Sequence, residues 1–133
     1  MTNLLNQPKS RMHPSDEEHR LQCTCVRWFR LQYKSISHAL FAIPNGGRRD
    51  PTTGARLKAE GALAGVSDLI LLKSNARYGA LLLEMKTEKG KQSEAQKTWG
   101  KAITSSNEYK YVVCRSVAEF MTAVNNYLNN KDE

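Results

Sequence analysis

The stretch "GVSDLILLKSNARYGALLLEMK", residues 65 to 86, constrains the fold more than any other part of the chain. It holds two aliphatic runs, residues 66 to 73 and 80 to 87, that read as buried strands. The connection "SNARYG" between them is short enough for an antiparallel pair. Residues two apart on a strand share a face, so Glu84 and Lys86 project together while Met85 points to the other side. Leu81, Leu82 and Leu83 mark a central strand, where an ionised carboxylate costs on the order of several kcal/mol unless it is paired or bound to metal. Asp68, at the head of "DLILL", faces the same difficulty. A hairpin register nearly symmetric about residues 76 to 77 would set Asp68 beside Glu84. Two carboxylates placed together repel, and one takes up a proton unless a cation lies between them. Oxygen ligands completed by water fit Mg²⁺ or Mn²⁺, whereas zinc prefers Cys and His. For these three residues alone, a plain Glu84–Lys86 ion pair on an exposed strand end, with Asp68 capping a turn, is the competing reading.

The remaining pattern implies one domain. At 133 residues and 40% hydrophobic content, the chain can bury one real core but not two. Residues 1 to 14 mix polar groups and prolines without periodicity and are expected to form a flexible arm, with the domain over 15 to 130. "SDEE" has the form of a capping box in which Glu18 answers Ser15. Leu21, Cys25, Trp28 and Phe29 then recur at helical spacing, predicting a helix from Asp16 to Gln32. "HALFAIP" reads as a strand stopped by Pro44. The long segment "NGGRRDPTTGARLKAEGALAG" reads as a functional loop. Ser93 with Gln96 forms a second capping box for a helix to Thr104, "YKYVVCR" is a strand, and Ser116 with Glu119 opens the last helix. Helix, strand, loop, strand, strand, helix, strand, helix implies an α/β fold, a mixed sheet with helices against it.

Charge and composition narrow the chemistry. Twenty Lys and Arg against 13 Asp and Glu leave +7, which favours a polyanionic partner without specifying it. No run approaches the roughly 18 apolar residues of a membrane span, and the N-terminus has no secretory pattern, so a cytoplasmic location is expected. Cys23, Cys25 and Cys114 lack metal or redox spacing and read as reduced, packed thiols. His13, His19 and His38 have no nucleophile partner and read as surface or capping groups. Neither nucleotide-binding glycine motif occurs in the long loop.

"IPNGGRRDPTTGARLKAEGALAGVSDLILL", "LLLEMKTEKGKQSEAQKTW" and "YVVCRSVAEFMTAVNNYL" together resemble, in order and spacing, the VRR-NUC domain nucleases of the PD-(D/E)xK superfamily. The resemblance spans residues 18 to 128. Ser67 stands where the family usually has proline, and Ala64 where proline is frequent. The resemblance implies a restriction-endonuclease-like mixed β-sheet flanked by helices. It implies that Asp68 and Glu84 bind Mg²⁺ or Mn²⁺, with the Met85 carbonyl as a further ligand and Glu18 at or near the metal. Lys86 would orient or help deprotonate the attacking water, and Gln96 would stand beside it.

By the same resemblance the reaction is metal-dependent hydrolysis of DNA phosphodiester bonds by an endonuclease. The family's small stand-alone members, found in bacteria and their phages, are homodimers associated with branched DNA such as four-way junctions, so both properties are expected here. The cytoplasm would then be that of a bacterium or a phage-infected cell. Arg48, Arg49, Arg56 and Lys58 in the long loop, and Lys89 and Lys91 after the second strand, are candidate DNA-phosphate contacts. The alternative is a non-catalytic DNA-binding module that keeps the basic surface and the fold.

Overall fold

The computed structural model describes residues 12–44 and 51–131. Its elements run α1 (Pro14–Gln32), a 3-10 segment (Lys34–Ala39), β1 (Leu40–Ala42), α2 (Pro51–Ala59), β2 (Leu69–Leu71), β3 (Ala80–Met85), α3 (Glu94–Thr104), β4 (Tyr109–Cys114) and α4 (Val117–Leu128). The four strands form one sheet in the order β1-β2-β3-β4. β1 and β2, and β2 and β3, pair antiparallel, while β3 and β4 run parallel through the α3 crossover. This is the mixed α/β sheet flanked by helices that the residue pattern predicts.

Two boundaries differ from expectation for local reasons. The Ser15–Glu18 capping box does not form. His13 is the N-cap of α1, its ring accepting the Ser15 amide at 3.2 Å, and Pro14 takes an early helical position where a missing N–H costs nothing. The helix therefore starts before Asp16, and Glu18 is released from capping. The long segment is not all loop either: Pro51 opens α2, a nine-residue helix that the surrounding glycines conceal from a periodicity reading. Residues 1–11, the core of the expected arm, lie outside the described residues. The strands are also shorter than their aliphatic runs.

Sheet alternation sorts the side chains. Leu69, Leu71, Leu81, Leu83 and Met85 face α1 and α4, where they meet Cys25, Phe29, Phe120, Val124 and Tyr127 in one core. Each fully buried leucine contributes roughly 2–3 kcal/mol. Trp28 closes the α1–α4 junction edge-on against Phe120, with ring centroids 6.0 Å apart. Burial pushes the thiols of Cys25 and Cys114 up to about 12, consistent with packed, unreactive cysteines; Cys23 is exposed. On the opposite face stand Asp68, Leu82, Glu84 and Tyr111, on the side covered by α3. Among the described residues no helix is long and apolar enough to cross a membrane.

Candidate active site

The β2–β3 register pairs Leu69 with Leu83 and Ile70 with Leu82, and so brings Asp68 opposite Glu84 at the end of the hairpin ladder. All six residues of β3 are buried, and Glu84 is 0% exposed, so the plain surface ion pair is excluded. Asp68 Oδ2 accepts the Met85 amide at 2.7 Å, which ties the carboxylate to the strand it faces. The two carboxyl groups stand at paired positions of adjacent strands and interact electrostatically. Met85 itself is buried in the core.

Glu84 is held from two further sides. Gln96 Nε2 donates to Oε1 at 2.9 Å, and the Tyr111 hydroxyl donates to Oε2 at 3.2 Å. Gln92 in turn donates to the Tyr111 hydroxyl at 3.0 Å. Gln96 performs both of the duties its sequence position allows. Its Oε1 accepts the Ser93 amide at 2.8 Å, completing the capping box, while its amide nitrogen grips Glu84. Tyr111 and Gln92 escaped the sequence reading. The alternation Tyr109, Tyr111, Val113 places Tyr111 on one face of a strand, but only the parallel pairing of Leu82 with Tyr111 shows that Glu84 shares that face.

One glycine makes this meeting possible. Gly65 has φ +91°, and a Cβ there would lie 2.3 Å from the Ala95 carbonyl oxygen. The bare backbone lets the loop leading to Asp68 press against the first turn of α3, and that contact carries Gln96 toward Glu84. Ser67, at the position where proline is usual in the family it resembles, is buried and donates to the Leu69 carbonyl at 3.2 Å.

The electrostatics follow from the burial. Burial, then the adjoining Asp68, push the Glu84 carboxyl up to about 8, against the opposing pull of the Lys86 ammonium and the Tyr111 hydrogen bond. Burial also raises Glu18, with Lys86 opposing and Asp68 reinforcing. Tyr111 is raised by burial and by Glu84. Glu18, Asp68, Glu84 and Lys86 thus form one interacting group. Among the described residues no three His, Cys, Asp or Glu side chains are arranged to close around a metal ion. The adjoining pair nonetheless suits a divalent ion: its donors are all oxygen, and without a cation one buried acid must keep a proton.

The candidate phosphate contacts are dispersed. Arg56 and Lys58 are exposed on α2, and Lys89 and Lys91 are exposed on the segment after β3. Arg48 and Arg49 lie outside the described residues. The Arg115 guanidinium donates to the carbonyls of Thr87, Glu88 and Gly90 and so anchors the segment that carries Lys89.

A solved structure described as "VRR_NUC domain protein" superimposes with a TM-score of 0.72, covering 84% of this chain and 88% of the other at 21% sequence identity. No curated protein sequence matches significantly. The VRR-NUC domain pattern matches residues 6–118. The chain belongs to the VRR-NUC domain family, and its sheet and flanking helices form a nuclease-like fold.

Proposed function

We propose that the protein is a metal-dependent DNA endonuclease that hydrolyses phosphodiester bonds. The observation that carries this reading is the pairing of half-buried Asp68 with fully buried Glu84 across β2 and β3, with Lys86 beside it. Two acids at such a cost are unexplained in a module that only binds DNA, because clustered carboxylates repel phosphate.

Asp68 and Glu84 would hold Mg²⁺ or Mn²⁺, with the Met85 carbonyl and Glu18 as further donors. The bound ion supplies activation of water and neutralisation of phosphate charge. Gln96 and Tyr111 fix both oxygens of Glu84, so the carboxylate is oriented before a ligand arrives. The Met85 amide does the same for Asp68. Lys86 lies next to both acids and would orient the attacking water toward phosphorus. The exposed Arg56, Lys58, Lys89 and Lys91, with Arg48 and Arg49, supply phosphate contacts, and the net charge of +7 supports a polyanionic substrate.

The finer reading is a homodimer acting on branched DNA such as four-way junctions, since a two-fold dimer presents paired sites to a symmetric substrate. Labelled four-way junction, duplex and single-stranded DNA, each incubated with Mg²⁺, Mn²⁺ or EDTA, test the proposal. Metal-dependent cleavage lost in Asp68→Ala and Lys86→Ala is the expected result. Cleavage that survives EDTA overturns the mechanism, and binding without cleavage in every metal favours a non-catalytic DNA-binding module. A light-scattering mass of one protomer removes the dimer.

A further inference from the structure

Helix α1 has two working faces. Cys25 and Phe29 enter the core, while another face lines an open groove of about 830 Å³. Glu18, Gln22, Arg27 and Arg30 line that groove, and Asp68 of the carboxylate pair lines it too. Glu18 with Gln22, and Arg27 with Arg30, are neighbours at four- and three-residue spacing, and the five-residue step from Gln22 to Arg27 turns about the helix, so the two pairs border the groove at successive positions along α1. The groove is therefore acidic at the end that holds the candidate site and basic at the other.

Both arginines are exposed. Among the described residues the ion pair that forms is Lys97–Glu94 on α3, and neither Arg27 nor Arg30 meets a carboxylate. Two guanidinium groups in a row, without internal partners, suit phosphate oxygens through forked hydrogen bonds. The helix rise of about 1.5 Å per residue puts Arg27 about 13 Å and Arg30 about 18 Å from Glu18 along the axis. Phosphates of one DNA strand advance about 3.4 Å per nucleotide along the duplex. The arginines would then meet phosphates about four and five nucleotides from the one at the carboxylates, a span that a mononucleotide cannot cover.

We propose that the α1 wall of this groove, with Arg27 and Arg30 as its phosphate-gripping pair, is a phosphate track that holds the DNA flank on one side of the scissile bond. It rests on the nuclease reading of the Asp68–Glu84 site and adds a surface separate from the candidate contacts on α2 and after β3. The track makes binding depend on several nucleotides of flank rather than on the cleaved linkage alone.

The test is binding of a labelled 20-base-pair duplex, followed by fluorescence anisotropy in EDTA across a salt series. For Arg27→Ala/Arg30→Ala, the plot of log affinity against log salt should be shallower than wild type by about two. Arg27→Lys/Arg30→Lys should retain the wild-type slope. Lys73→Ala/Lys131→Ala removes equal charge at the far end of the β2–β3 hairpin and should leave the slope unchanged. Thermal melting by circular dichroism checks that each variant is folded. The proposal is overturned if the alanine pair keeps the wild-type slope, if the lysine control lowers it equally, or if the wild-type protein does not bind the duplex. Cleavage assays with Mg²⁺ or Mn²⁺ on the same duplex, a four-way junction and single-stranded DNA separate the two readings. Binding with a shallower alanine-pair slope but no cleavage leaves the track standing and removes the nuclease; cleavage with an unchanged slope does the reverse.

Discussion

Glu84→Gln should stabilise the metal-free protein at alkaline pH while abolishing its activity. Glu84 is fully buried beside Asp68, and its carboxyl is pushed up to about 8 from an ordinary 4.5. An acid whose folded-state value is raised holds a proton that the unfolded chain has already lost. Its contribution is therefore complete below about pH 4.5 and disappears as pH rises to about 8. Across that window stability falls by about 1.4 kcal/mol per pH unit, to a ceiling of roughly 4–5 kcal/mol. For a domain of this size that is a Tm decrease on the order of 15 °C. Glutamine keeps the neutral form at every pH, can still accept from Gln96, and can donate toward Asp68. Melting curves from pH 5 to 8.5 in EDTA should converge at the acid end and diverge at the alkaline end, with the glutamine variant higher. Adding Mn²⁺ at pH 8 should raise the wild-type Tm and leave the variant unmoved. A wild-type curve that stays level or rises from pH 5 to 8 relative to the variant would refute the shared-proton argument.

Other substitutions probe the supports of the site. Gln96→Ala removes both a capping contact and a hydrogen bond to a buried carboxylate, and should cost about 2–3 kcal/mol by denaturant melting together with most of the cleavage rate. Gly65→Ala forces a residue at φ +91° into the Ala95 carbonyl, and should destabilise by about 3 kcal/mol or more, with activity falling in parallel. Tyr111→Phe keeps the ring against Trp99 but deletes a donor to Glu84. It should cost about 1 kcal/mol and, by raising the Glu84 carboxyl further, shift the pH dependence of Mn²⁺ binding in calorimetry to higher pH.

Much of the frame was legible because it depends on short-range rules. Strand alternation and a turn of limited length set Asp68 against Glu84, since a one-residue slip would have turned Glu84 into the apolar core and Met85 out of it. The Ser93 box and the Ser116 cap follow from interactions three residues apart. The Ser15 box failed because His13 and Pro14 offered a competing start two residues earlier, and α2 was hidden among glycines whose local preference is for loops.

The amino-acid sequence by itself determined the four strands and three of the four α-helices in order, the pairing of the two acids and the family to which the chain belongs. Tertiary structure alone decided that Gln96 serves both a helix cap and Glu84, that Tyr111 and Gln92 extend that network, and that Glu18 lines a groove rather than a cap. These outcomes rest on side chains from separate elements meeting across a sheet or at a glycine too small to obstruct. Such distances depend on how helices pack against strands, which no periodicity within a single element encodes.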